Sequence, residues 1–337
     1  MAAKYIEKKL LSNKLLFICI IYFICAISGP GQEFTPIYAG FDDLNENNKR
    51  IIFIGDTQKT SFLEKLFLCR EENKNKTPLL LAEIAARRPA LVVSLGDLVF
   101  SAASARSWNW FDLSHRPIRE ANIPIAPILG NHEYWHRPDM SLNKFYFPRF
   151  PHLFGQKWYC FDFQQIGFLM LDGNITKKDP EWPWQLRWYE DNLRLFENDP
   201  HIRWIIVCCH QPPFTNSKVV APNDDIFDYF GKPFLQAGKT VFFLSGHCHA
   251  YEKFKFGEKW FIVSGGGGGP RHGLKNISSL YDATDPFSGL SLSILHFCQL
   301  DSLPEGLLFQ VVTLSDDGSF TEADCFEISK ETIVRSD

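Results

Sequence analysis

From residue 50 onward, short apolar runs alternate with longer stretches of mixed polarity, and most of the runs stop at a glycine and a polar residue. Ile51–Ile54 leads into Gly55-Asp56, Ala90–Leu95 into Gly96-Asp97, and Ile125–Leu129 into Gly130-Asn131-His132-Glu133. Trp204–Cys208 ends at His210, Val241–Leu244 at Gly246-His247, and Trp260–Val263 in the glycines Gly265–Gly269. Runs of this length, bounded by turn residues, predict buried strands. Trp158–Phe163 and Phe168–Leu171 predict a hairpin. Leu79–Arg88, closed by Pro89, and Pro183–Phe196 carry helical spacing. Strands alternating with helices predict an α/β domain with a largely parallel core, and the tail after Leu290 predicts added antiparallel strands. No linker or composition break follows residue 50, so residues 50–337 are expected to form one domain, preceded by an extension over 29–49.

Composition changes this picture only at the amino terminus. The chain has 45% hydrophobic and 22% charged residues and a formal net charge of -4, values that exclude a nucleic-acid footprint. Lys4, Lys8, Lys9 and Lys14 precede the apolar stretch Leu15–Ile27, and small residues follow at Ala26 and Ser28. This pattern predicts a secretory signal peptide over residues 1–28 or, if uncleaved, a membrane anchor. The expected location is periplasmic or extracellular, with membrane contact only through an uncleaved anchor. No CxxC pair or dense cysteine framework is present.

The ends of the runs carry the chemistry. Open α/β sheets bind ligands at the carboxyl ends of their strands, where residues distant in sequence converge. Asp56, Gln58, Asp97, Asn131, His132, His210, His247 and His249 all fall at or just after such ends. Carboxylate, amide oxygen and imidazole together suit Mn²⁺, Fe or Zn²⁺ better than the all-oxygen cages of Ca²⁺ or Mg²⁺. Sharing one carboxylate between two cations is the natural role for Asp97, in the middle of the set.

Gly55-Asp56-Thr57-Gln58, Gly96-Asp97-Leu98, Gly130-Asn131-His132-Glu133, the isolated His210 and Gly246-His247-Cys248-His249, in this order, resemble the calcineurin-like metallophosphoesterases over roughly residues 50–265. The resemblance implies a four-layer α/β/β/α sandwich with two mixed β-sheets. It implies one metal site of Asp56, Asp97 and His249, with Gln58 where a histidine is usual. The second site would hold Asp97, Asn131, His210 and His247. His132 is implied as the catalytic group beside the metals, with Glu133 orienting it. The implied cofactors are two divalent metal ions, Mn²⁺ first, with Fe or Zn²⁺ as the other choices. The weaker amide donor of Gln58 is expected to loosen the first site and favour Mn²⁺. The run from Gly246 to Glu252 is similar to the purple acid phosphatase branch, but Phe100 stands where that branch carries its tyrosine ligand, which excludes an iron phenolate.

The expected activity is hydrolysis of a phosphomonoester or phosphodiester by a metal-bridged hydroxide, on a small phosphorylated substrate. Nucleotide pyrophosphatase-type hydrolysis is the alternative within the enzyme class, and a metal-poor binding protein on the same fold is the alternative outside it. His136 and Arg271 are the candidate substrate contacts, the latter because a guanidinium fork matches a phosphate dianion. The five glycines precede no clear helix, so they predict a close-packed turn rather than a phosphate cradle.

Overall fold

The computed structural model describes residues 35–67, 69–136, 138–275 and 288–329. The leader read over residues 1–28 lies outside the described residues. The strands in chain order are β1 (Arg50–Ile54), β2 (Leu91–Ser94), β3 (Ile125–Pro127), β4 (Tyr159–Phe163), β5 (Ile166–Met170), β6 (Trp204–Cys208) and β7 (Thr240–Ser245). They continue with β8 (Tyr251–Phe256), β9 (Lys259–Ser264), β10 (Leu290–Leu292), β11 (His296–Ser302), β12 (Gly306–Leu314) and β13 (Phe320–Ser329).

Two mixed sheets result. One has the order β13-β12-β11-β1-β2-β3, with β1, β2 and β3 parallel and β11 antiparallel to β1. The other has the order β10-β8-β9-β7-β6-β5-β4, parallel across β5, β6, β7 and β9, with antiparallel neighbours at both edges. The tail after Leu290 therefore serves both sheets. The hairpin, the parallel strands and the helix Trp182–Asn198 fall where their hydrophobic spacing predicts them. The β8 strand and the helices Ala105–Ser114 and Arg116–Glu120 do not announce themselves by apolar runs, because each buries only part of its surface.

The unbroken apolar character of β5, β6 and β7 follows from cover on both faces. Side chains alternate between faces along a strand. Phe168, Met170, Ile206, Cys208, Phe242 and Leu244 enter the core shared with the other sheet. Their neighbours Leu169, Ile205, Val207 and Phe243 enter a second core, which also takes Trp182, Tyr189 and Leu193 from the helix Trp182–Asn198. Between the sheets, the rings of Phe242 and Phe309 lie 5.0 Å apart. On the far side, the helices Thr77–Ala86 and Ala105–Ser114 contribute Leu80, Leu81, Ile84, Trp108 and Phe111 to the first core. The layers are helices, sheet, sheet, helix. No helix among the described residues is long and apolar enough to cross a membrane.

The segment before β1 is part of this packing. Tyr38 is buried, its N–H donates to Arg149 O (3.0 Å), and Ile125 N donates to Ala39 O (3.1 Å) on β3. Arg149 ties the region together. Its guanidinium grips Asp112 through Nε–Oδ1 (2.9 Å) and Nη2–Oδ2 (2.5 Å), donates to Phe145 O (2.8 Å) and lies 4.9 Å from the centre of the Trp108 ring. Removing one partner of a buried pair leaves the other charge desolvated, at roughly 3–5 kcal/mol. Arg149→Met should therefore lower the unfolding free energy by about that amount in urea denaturation. A loss under about 1 kcal/mol would show that Asp112 finds another partner.

Candidate metal centre

The loops after β1, β2 and β7 turn sharply, through residues in the left-handed region. Asp56 has φ 60°, Asp97 52° and His247 66°, and Gly96 before Asp97 has φ 89°. Such conformations cost about 1–3 kcal/mol for a non-glycine residue and persist where the surroundings hold them. Here they are held by each other. Asp56 N donates to Gly96 O (3.0 Å), Gln58 N to Asp97 O (3.2 Å) and Gly246 N to His210 O (3.1 Å). Asp56 Oδ2 accepts from His247 N and Asp97 Oδ1 from His132 N, both at 2.9 Å. The motif glycines are the space these crossings need. A Cβ on Gly130 would lie 2.2 Å from Asp97 Oδ1, and one on Gly96 would lie 2.6 Å from His210 Nδ1.

The donor atoms gather in two groups that share Asp97. Asp97, His210 and His247 form one, and Asp56, Asp97 and His249 the other, each with ligand atoms within 4.8 Å of one another. His210 Nε2 lies 3.3 Å from Asp97 Oδ2 and 3.2 Å from Asn131 Oδ1, so Asn131 joins the first group. His249 Nε2 lies 3.3 Å from Asp56 Oδ1. That distance is short, yet the geometry makes no hydrogen bond, and Asp56 Oδ1 is buried without a partner. Gln58 is best oriented with its nitrogen donating to Asp97 O (2.7 Å) and Asp56 O (3.2 Å), which aims its oxygen at His249 Nε2 (3.3 Å). The seven donors named from the motifs thus converge at one edge of the two sheets. Asp56, Gln58, Asp97 and Asn131 come from one sheet, and His210, His247 and His249 from the other.

Backbone carbonyls set the imidazoles. His210 Nδ1 bonds Leu95 O (2.7 Å), His249 Nδ1 bonds Pro270 O (2.8 Å) and His132 Nδ1 bonds Phe100 O (2.6 Å). A carbonyl only accepts, so in each ring Nδ1 carries the proton and Nε2 is turned to the site. This is the tautomer control found around bound metals. The charges are unbalanced as they stand. Asp56 and Asp97 are both fully buried, and burial pushes Asp56 upward against the pull of His249. Burial also raises Asp97, but His210 and His132 outweigh it and hold that carboxyl well below the usual range. Burial alone would push His210 down, yet the Asp97 carboxylate lifts it to about 10. A buried carboxylate pair, one orphaned oxygen and Nε2 atoms turned to the site fit cations, which would take the place of any proton on Nε2.

Two sequence expectations need correction. Glu133 does not orient His132. Its buried carboxylate accepts from the N–H groups of Gly130 (2.8 Å), Asp97 (2.9 Å), Leu98 (3.0 Å) and Val99 (3.4 Å), bracing the loop that carries Asp97. Burial and then the Asp97 charge push it upward, and the N–H groups of Gly130 and Asp97 oppose them. With donors alone around it, the group is satisfied as a carboxylate. Arg271 is not free for phosphate, because its fork is filled by Glu71 at 2.8 and 2.9 Å, an arrangement that holds the Glu71 carboxyl down to about 2 against its burial. His136, expected as a substrate contact and not as a ligand, is exposed. The glycine run packs as a close turn, where a Cβ on Gly269 would lie 2.5 Å from the His249 ring.

Other contributors escape a motif reading. Trp135 lies over His132 with ring centres 3.7 Å apart, and Phe100 meets the same imidazole at 5.3 Å. His272, buried, stacks on His249 at 4.3 Å, and burial and then the His249 charge push it down to about 2. Beneath Asn131, Asn174 Nδ2 donates to Gly130 O (3.1 Å) and Asp172 Oδ1 (2.9 Å), and Tyr134 donates to Asp172 Oδ2. Asp172 follows the apolar run Phe168–Leu171 as Asp56 follows its own, which is the one sequence signal for this group.

The calcineurin-like phosphoesterase profile matches residues 49–251. Among curated proteins, none matches by sequence. Among solved structures, a purple acid phosphatase from yellow lupin seeds (PPD1) is similar with TM-score 0.60 and 16% identity over 86% of this chain, which spans 55% of that longer protein. GAP50, described as the anchor in the inner membrane complex of Plasmodium, has TM-score 0.62 and 17% identity, covering 83% of this chain and 88% of that one. A dimetal phosphatase from Danio rerio has TM-score 0.57 and 12% identity, covering 83% and 98%. These likenesses show the shared fold, and the profile match over most of the chain shows the lineage. The chain belongs to the calcineurin-like phosphoesterase family of metal-dependent phosphoric ester hydrolases.

Proposed function

We propose that this protein hydrolyses small phosphate esters at a dinuclear centre built on Asp97, with Asp56, Gln58 and His249 on one side and Asn131, His210 and His247 on the other. The observation that carries the reading is the shared, fully buried Asp97 carboxylate at the junction of two donor groups. When bound there, a pair of divalent cations supplies Lewis-acid polarisation of phosphoryl oxygens and ionises water near neutral pH. The protein's own part is positional. Backbone N–H groups and Glu133 fix Asp97, and carbonyls fix the imidazole tautomers. His132, with Nδ1 donating to Phe100 O and Nε2 3.8 Å from Asp97 Oδ2, is placed to hand its Nε2 proton to the leaving oxygen when the ring is doubly protonated. The amide donors Gln58 and Asn131 beside carboxylates favour a hard ion, and Mn²⁺ fits that set best.

The phenyl ring of Phe100 offers no phenolate, so the reading is a divalent rather than a ferric centre. Plasmodium GAP50 is described as an anchor, and a binding role on this fold is the other reading for this chain. The complete donor set supports turnover over that role. The basic, apolar and small-residue pattern of residues 1–28 supports a reading in which the protein is exported or anchored facing outward.

Hydrolysis of p-nitrophenyl phosphate with added Mn²⁺ tests the assignment. Chelator should abolish the activity and Mn²⁺ restore it, while Asp97→Asn and His210→Ala should each lower kcat by about 10²–10³-fold. Mn²⁺ should also raise Tm of the wild-type protein and not of Asp97→Asn. Full activity in either variant would refute the centre. Glu133→Gln puts an amide N–H₂ against backbone donors. It should destabilise the fold by about 2–3 kcal/mol and weaken Mn²⁺ binding, read by thermal melts with and without metal.

A further inference from the structure

A cleft of about 330 Å³ opens beside the centre, in the size range of small-molecule sites. Its lining includes Lys59, Lys65, Lys74 and Arg106 against the single acid Glu72. Lys65 is paired with Glu72, and Lys74 lies 3.8 Å from the same carboxylate. Lys59 and Arg106 form no ion pair with any acid among the described residues. Lys59 is the residue after Gln58, and its Nζ lies 4.2 Å from the centre of the Trp110 ring, whose Nε1 is buried without an acceptor. Phe100 joins the cleft to the chemistry: it lines the cleft, while its carbonyl holds the His132 ring.

We infer that this cleft is an anion subsite, so that the substrates of the centre carry a second phosphoryl or carboxylate group beyond the leaving oxygen. The substrate half of this statement rests on the hydrolase reading above, and the anion half does not. A ligand crossing from His132 past Phe100 reaches Lys59 and Arg106 together, with an indole beneath Lys59 to carry its apolar part. The cleft's volume of about 330 Å³ fits a small organic anion. Phosphoanhydrides, bisphosphates and phosphorylated acids share this chemistry, while simple alkyl or aryl monoesters lack it.

The test compares phenyl phosphate with its meta- and para-carboxyl derivatives at low ionic strength, in the Mn²⁺-loaded wild-type protein and in the double variant Lys59→Gln/Arg106→Gln. In the wild type, kcat/KM should be about tenfold higher for a carboxylated ester, a preference that salt weakens and the double variant reduces to within about twofold. In parallel, benzene-1,3-disulfonate is titrated against tryptophan fluorescence. Binding should weaken about tenfold in the double variant, and the signal should vanish in Trp110→Phe. Equal preference in both proteins, or disulfonate binding unchanged by the double variant, would overturn the subsite. Absence of all hydrolysis together with Lys59-dependent disulfonate binding would overturn the hydrolase reading and keep the anion subsite.

Discussion

Everything at this edge of the molecule answers to one constraint, the burial of two carboxylates, Asp56 and Asp97, which among the described residues pair with imidazoles and with no lysine or arginine. Placing unpaired charge out of water is among the costliest acts a fold performs. The surroundings answer with oriented backbone N–H groups, with imidazoles, and with the place for cations that these leave between them. The strained turns, the glycines without room for a Cβ and the Glu133 brace are consequences of bringing those two oxyanions into one small volume.

Rigidity comes from the sheets. Strand ends from two different sheets deliver the ligands, and each sheet is clamped by apolar contact on both faces. A ligand set on one long loop would spend ordering entropy each time a cation bound. Set on strand ends, and with each Nδ1 anchored to a carbonyl, the donors are already arranged. His272 against His249, and Trp135 and Phe100 against His132, extend the same principle from hydrogen bonds to ring packing.

The cleft inferred as an anion subsite rests on a different class of residue. Lys59, Arg106 and Trp110 sit on the loop after Gln58 and on a surface helix, apart from the two donor groups. Such positions can change without disturbing those groups. Phe100 links the two regions: its carbonyl holds the His132 ring, and the residue lines the cleft.

The strands of the α/β core, and the polar residues that gather at their ends, were legible in the chain, because buried strands must be apolar and strand-end turns carry glycine and polar residues. Those are local demands, and each leaves its mark within a few residues. Arg271 looked available for phosphate because its partner Glu71 is remote in sequence, and Glu133 looked like a partner of His132 because the two adjoin in the chain. What Glu133 holds, which atom of Gln58 faces His249, and how Lys59 meets Trp110 depend on distances between segments that the chain order does not encode. Hydrophobic periodicity and turn chemistry write the scaffold and the donor list into the sequence. Long-range hydrogen bonds and charge pairing, which exist only after the sheets have packed, decided what each side chain is free to do.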